Sequence, residues 1–245
     1  MERVLDAAKA RGLRTGENPC RWRGHLDSLL PPRSKVRRVV HHAALPYTDL
    51  PAFMTELRLR KGIAPRALEF TILTAARTNE ALGVRWPELD LHNAVWTVPA
   101  TRMKGAREHR VPLSAQTVRI LRDLEDIRTG DFVFPGIKSG RPLSDMALLM
   151  LLRDIRPGIT THGFRSTFKD WSAECTSTPN YVSEAALAHV IADKVEAAYR
   201  RADLLQKRRK LMEAWAVYCA HELTTFAIVG GRRTTAASAV GADNG

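Results

Sequence analysis

Apolar residues recur at helical spacing through most of this chain, and the pattern changes to strand-like alternation only between Trp86 and Leu113. Short amphipathic helices, each with its own start signal, bury their apolar faces only by packing on one another, which leaves room for one small sheet. The fold class read from this is mostly α with a small antiparallel β-sheet, an α+β arrangement. Thr48-Asp49 is placed to cap a helix carrying Leu50, Phe53, Met54 and Leu57. Pro65 at a helix start opens an apolar segment that ends near Arg77, and Thr78 is the expected cap of the next short helix, with Glu80 in its first turn. Further helices are expected over residues 114–128, 144–155, 161–174, 183–189, 193–201 and 203–223, each opened by Ser, Thr or Asp. The strands fall at about 88–91, 95–98 and 108–113, with a tight His92-Asn93 turn first and then a long connection holding Lys104-Gly105.

Charge narrows the partners. Lys and Arg number 38 against 26 Asp and Glu, a net +12 with a pI near 10.2, so an extended polyanion is the first partner to consider and nucleic acid fits best. Residues 1–45 carry ten Lys or Arg and four Asp or Glu, a net +6 and half of the excess. Two short helices are expected there, the second with Trp22, Leu26, Leu29 and Leu30 on one face, followed by a basic linker through Lys35, Arg37 and Arg38. No long apolar run, signal-like stretch or lipidation motif is present, which reads as a soluble intracellular protein with no membrane partner. Cys20, Cys175 and Cys219 are widely spaced and odd in number, which fits reduced thiols. His41-His42 lacks a third ligand at suitable local spacing, so the pair reads as part of a solvated linker rather than a metal site.

The residues that carry chemistry are His162-Gly163-Phe164-Arg165, placed between Ala76-Arg77-Thr78-Asn79-Glu80 and Ala198-Tyr199-Arg200-Arg201. Attack on a phosphodiester needs a nucleophile, charge stabilisation for a phosphorane-like transition state, and a proton for the departing oxygen. Arg77 and Arg165 suit the second need, because a guanidinium grips two phosphate oxygens with a planar fork that stays charged. His162 and Arg165, three apart on an expected helix, are expected to project from one face. Tyr199 is the candidate nucleophile. Its hydroxyl, with an ordinary pKa of about 10, needs a base or strong positive surroundings near neutral pH. Lys104 can reach the reacting region from its connection as general acid, and His189 can donate to the phosphate. Glu80 reads as a partner that orients an arginine rather than as a catalyst.

This ordered set resembles the catalytic set of tyrosine recombinases, closest to the phage-type integrases of prophages and genomic islands: Ala-Arg-Thr-Asn-Glu, Lys104 before His-Arg-Val-Pro-Leu-Ser, His-Gly-Phe-Arg, Leu187-Ala-His189 and Ala-Tyr-Arg-Arg. Asn79 stands where the family commonly has glycine. The resemblance covers about residues 46–222 and implies the tyrosine recombinase catalytic-domain fold there. It leaves 1–45 as a remnant of a core-binding domain and linker, and 223–245 as a tail too poor in apolar residues to fold. By resemblance, Arg77 and Arg165 bind the scissile phosphate, Lys104 is general acid, His162 and His189 assist, and Tyr199 forms a 3′-phosphotyrosyl link. The implied partner is double-stranded DNA with attachment-type sites, bound by a homo-oligomer, a tetramer, in the cytoplasm, with no metal or nucleotide. A catalytically impaired DNA-binding remnant and a type IB topoisomerase are the alternatives.

Overall fold

Turn chemistry and apolar spacing set most elements of the computed structural model, which describes residues 1–31, 43–103, 105–189 and 204–221. The chain divides into two units, Met1–His42 and Ala43–Gly245. In the first, helix α1 (Glu2–Ala10) buries none of its residues. Its fold is held by polar contacts: the Asn18 amide donates to the Glu2 carbonyl at 2.9 Å and to the Asp6 carboxylate at 2.7 Å. The expected second helix is not continuous. Trp22–Leu26 forms a wide turn interrupted by extended Arg23 and by Gly24 at φ 73°, and only the single turn Asp27–Leu29 follows. The glycine and the positive φ it permits break the periodicity that the apolar spacing suggests.

The second unit is helix packed on helix around one sheet. After a short 3₁₀ turn at Tyr47–Asp49 come α2 (Leu50–Leu59), α3 (Ile63–Thr74) and α4 (Thr78–Leu82). The sheet is β1 (Leu89–Asp90), β2 (Val95–Val98) and β3 (His109–Pro112), antiparallel in the order β1-β2-β3. Its register pairs Asp90 with Val95 and Val98 with His109. The first turn is closed by the Asp90 carboxylate, which accepts from the Asn93 backbone at 2.8 Å and from its side-chain amide at 2.7 Å. The remaining described helices are α5 (Ala115–Glu125), α6 (Asp145–Ile155), α7 (Gly163–Cys175), α8 (Asn180–Ala186) and α9 (Leu205–Ala220). The expected helix over 193–201, the linker residues 33–42 with His41-His42, and the tail 223–245 lie outside the described residues.

α3 is the hub of this unit. Its residues from Ala67 to Thr74 are all buried, including the aliphatic and aromatic set Leu68, Phe70, Ile72 and Leu73. On one side Phe70 meets Trp96 of the sheet and Phe134, with ring centroids 5.3 Å apart in both pairs. On the other, Trp215 of α9 donates its indole N–H to the Ile72 carbonyl at 2.8 Å and packs edge-on to Phe168 of α7. Those two contacts fix α7 and α9 relative to the C-terminal end of α3. A basic run on a helix, such as Arg208-Arg209-Lys210, is ordinarily a solvated face, or on a DNA-binding protein one that touches the DNA backbone, but two of these three are engaged with the sheet. Arg208 is 1% exposed and donates to the Arg110 carbonyl at 2.6 Å, while Arg209 donates to the Asn93 and Ala94 carbonyls, so α9 grips the sheet through two guanidinium groups.

α5 begins where the sequence places it. The buried Ser114 hydroxyl accepts from the Thr117 backbone N–H at 3.2 Å and lies 2.9 Å from the Thr117 hydroxyl. Replacing an N-cap serine by alanine costs about 0.5–2 kcal/mol. Ser114→Ala is expected to fall in the upper half of that range because the Thr117 hydroxyl loses its buried partner too, a shift that urea unfolding followed by circular dichroism measures.

Candidate active site

Two successive carbonyls carry the site. α8 ends in a Schellman turn in which Ala188, at φ 49°, takes the left-handed position. The Ala188 N–H donates to Ala185 at 3.2 Å and the His189 N–H to Glu184 at 3.0 Å, closing the turn's two bonds. Two of the last carbonyls are each met by a different guanidinium. Arg165 Nη2 donates to Leu187 at 2.6 Å, and Arg77 Nη2 donates to Ala188 at 3.2 Å. Cationic donors at the negative end of a helix are electrostatically favoured.

Arg77 occupies the helix junction expected for it, between α3 and α4. Thr78, however, is the first residue of α4 rather than its cap. Glu80 does the capping: one carboxylate oxygen accepts from the Arg77 backbone N–H at 3.1 Å, and the other accepts from Arg77 Nη1 at 2.8 Å. Glu80 is therefore the orienting partner that its position suggested, with a side chain only 6% exposed. Arg165 comes from α7 and is itself 6% exposed. Its Nη1 donates at 2.5 Å to the carbonyl of Ala75, which ends α3 in a left-handed conformation at φ 49°. One guanidinium thus ties the C-terminal ends of α3 and α8 together.

His162 is not on a common helix face with Arg165. It stands at the N-cap of α7, exposed, while Arg165 is turned inward. It nevertheless lines a cleft of about 410 Å³ together with Arg77, Asn79, Glu80, Arg102 and Met103. The glycine of His-Gly-Phe-Arg explains how the chain gets there. A Cβ on Gly163 would lie 2.3 Å from the Ala43 carbonyl oxygen and 2.9 Å from the Ala44 Cα, so backbone crosses directly over the start of α7. His189 follows the Schellman turn, with Nε2 3.2 Å from Arg165 Nη2 and Nδ1 2.7 Å from the Glu184 carboxylate. Of the expected residues, Arg77 and His162 therefore line one cleft, and Arg77, Arg165 and His189 meet at the turn that ends α8. Lys104 and Tyr199 lie outside the described residues. The other nearby tyrosines are engaged elsewhere: Tyr218 donates to the Tyr47 carbonyl at 2.9 Å and packs on Trp171 and Trp215, and the Tyr181 hydroxyl accepts from Lys207.

The electrostatics fit an anion. Burial and then the neighbouring Arg77 charge hold Arg165 down to about 10, below the ordinary value for arginine. Two guanidinium groups this close, one of them buried, are relieved by a negative group between them. Sequence reasoning missed three residues here. His109, the first residue of β3, is pushed down to about 4 by burial and then by Arg208, with further repulsion from Arg77 and Arg165. Arg208 sits at helical spacing with Leu204, Leu211, Met212 and Trp215, a signal of burial that was present in the sequence. Arg102, two residues before Lys104, donates to the Glu80 carbonyl at 3.2 Å and pairs with Glu88 at 2.5 Å. Among the described residues no cluster of metal-ligating side chains forms, and no helix is long and apolar enough to cross a membrane.

Comparison with known proteins shows the family and the likeness of fold. The family model described as the phage integrase family matches residues 47–204. Prophage integrase IntZ of Escherichia coli K12 is 38% identical over 197 residues, covering 78% of this chain and 47% of that protein. The integrase of Shigella phage Sf6 is 32% identical over 188 residues, covering 70% of this chain and 46% of its own length. The chain spans about half the length of the curated relatives it matches. Among solved structures, lambda integrase (75-356), a dimer bound to a COC′ core site, superposes with a TM-score of 0.56 at 15% identity, covering 78% of this chain and 69% of that one, a likeness of fold.

His109 makes stability depend on pH. Its folded value of about 4 lies below the ordinary 6.5, so between those limits the unfolded chain binds more protons than the folded one. The stabilisation is whole above pH 6.5 and is lost as pH falls toward 4. His109→Gln is expected to flatten the fall in melting temperature between pH 7 and pH 4.5, roughly the window set by that depressed value, in scanning calorimetry.

Proposed function

This chain belongs to the phage integrase family, and from that premise we propose that it cleaves and rejoins duplex DNA at defined sites through a covalent 3′-phosphotyrosyl intermediate on Tyr199. The observation that carries the reading is the convergence of Arg77 and Arg165 on one carbonyl-lined turn beside a cleft that His162 also borders. In this reading the scissile phosphate lies between the two guanidinium groups, which balance the charge that grows on its oxygens in the transition state. The Tyr199 hydroxyl attacks phosphorus and gives its proton to His162. The bond to the 5′-oxygen breaks, and Lys104 protonates that leaving oxygen. A 5′-hydroxyl then attacks the phosphotyrosyl bond, releasing Tyr199 and closing the strand. The energy of the first bond is kept in the covalent link, so no nucleotide is consumed.

The solved relative is a dimer on a DNA core site, and by analogy the partner here is an attachment-type site in double-stranded DNA engaged by several copies, four in a complete synapse. Residues 46–222 form the catalytic domain in this scheme, residues 1–45 the end of a core-binding domain and its linker, and residues 223–245 a tail. The net +12 charge supports the same partner through phosphate contacts independent of base sequence.

A suicide substrate with a nick beside the cleavage site tests this. The protein is expected to form a denaturation-resistant adduct with DNA that disappears in Tyr199→Phe and persists in Tyr181→Phe. Salt-sensitive binding to such sites without any adduct would favour a DNA-binding remnant, and relaxation of supercoiled plasmid with no partner-site requirement would favour a topoisomerase. Arg165→Lys keeps the charge but loses the fork, and is expected to lower the cleavage rate about 10²–10³-fold, as loss of one transition-state donor does elsewhere. Single-turnover kinetics on the same substrate measure it.

A further inference from the structure

Arg165 shares a chain of hydrogen bonds with a side chain outside the set that would touch DNA. Its guanidinium has five N–H groups. One Nη1 hydrogen goes to the Ala75 carbonyl at 2.5 Å, and Nη2 serves both the Leu187 carbonyl at 2.6 Å and His189 Nε2 at 3.2 Å. The last contact is a hydrogen bond only if Nε2 carries a lone pair, because Arg165 has nothing but hydrogens to offer. The imidazole must then carry its proton on Nδ1, and Nδ1 lies 2.7 Å from the Glu184 carboxylate, an acceptor. The chain Glu184, His189, Arg165 is self-consistent in that one tautomer and in no other neutral form.

Local backbone puts the carboxylate there. Glu184 is the residue whose carbonyl closes the Schellman turn with the His189 N–H at 3.0 Å, so the same residue holds His189 by its backbone and by its ring. Its second carboxylate oxygen is held 2.6 Å from the Lys169 ammonium, and Lys169 stands one helical turn beyond Arg165 on α7. The ammonium also bonds the Ser183 hydroxyl at 2.8 Å and the Asn180 side chain. Burial works against the charge on Glu184, but the hydrogen bonds from Lys169 and His189 outweigh it and keep its pKa below the ordinary value.

We propose that Glu184 is a positioning residue: it locks His189 in the Nδ1–H tautomer, and the Nε2 lone pair in turn fixes the rotation of the Arg165 fork, leaving two of its N–H groups for a phosphate. The inference rests on the proposed function. It extends that reading to a residue outside the family-like set and makes His189 an acceptor toward Arg165 while the site holds no phosphate. A carboxylate behind an imidazole acts here as it does in other sites, by selecting tautomer and orientation.

The tautomer is read directly from the ¹⁵N shifts of the His189 ring in the DNA-free protein, assigned by the signal lost in His189→Gln. Wild type and Glu184→Gln, which keeps an acceptor oxygen, are expected to hold the Nδ1–H form, and Glu184→Ala to lose it. In single-turnover cleavage, Glu184→Ala is expected to be slower by roughly 10–100-fold, the cost seen when a liganding histidine loses its outer partner. Glu184→Gln should recover much of that loss. Lys169→Met breaks the tie between α7 and α8 but spares the Glu184–His189 pair, and should leave the tautomer in place and slow cleavage far less. An unchanged tautomer in Glu184→Ala would overturn the proposal. So would an unchanged rate, or a Lys169→Met variant slowed as much as Glu184→Ala, which would reduce Glu184 to a structural clasp. If wild type forms no adduct at all, the proposed function falls, and the ring shifts still decide the positioning role.

Discussion

The tie between the carboxyl-terminal ends of two helices, made by the Arg165 guanidinium, is the contact on which the site depends. α3 stops at Ala75 and α8 stops in a Schellman turn at Ala188, and both leave carbonyls that no helix can satisfy. A buried arginine with neutral carbonyl acceptors answers both ends at once, at 2.5 Å and 2.6 Å. It is costly to bury such a charge, and the depressed value of about 10 registers that cost. The negative ends of two helix dipoles offset part of it. A polyanion supplies the rest of the compensation in the proposed function, so the group that organises the turn is the one that an incoming phosphate would relieve.

The same end of α8 explains why residues far apart in sequence share one place. Arg165 from α7 and Arg77 from the α3–α4 junction meet two successive carbonyls, so the turn serves as a template that sets their spacing, and His109 of the sheet lies within reach of both charges. Behind it, aromatic packing of Trp215 with Phe168 and Trp171, and the indole bond to Ile72, keep α3, α7 and α9 from sliding. Core and site are joined in α7 itself. Phe164 and Phe168 face the core while Arg165 reaches the turn, and Gly163 lets the chain at Ala43 and Ala44 pass over the helix start.

The sequence was most legible where a local rule acts alone. The starts of α5 and α6, the tight turn at Asn93 and the junction at Arg77 follow from caps, turn residues and apolar spacing, and they stand where those rules put them. It was least legible where one residue changes the outcome. Gly24 at positive φ breaks an otherwise apolar repeat after Trp22, and Glu80 takes over the capping expected of Thr78 because its carboxylate reaches two donors of Arg77. Arg208 is the clearest case: a basic run reads as solvated, yet its helical phase with Leu211, Met212 and Trp215 turns one member of that run into the core.

By itself the sequence determined which residue types the chain can bring to a phosphate and in what order, because charge, nucleophile and proton donor are chemical properties of side chains and need no fold to be recognised. It also determined the class of fold, since helical and strand periods are local. Only the tertiary structure decided the electrostatic state and the partners of those side chains. That Arg165 is buried and shared between two helix ends, that His109 is held neutral, and that Glu184 stands behind His189 all follow from burial and from the closing of one turn, and these depend on what the rest of the chain packs around it.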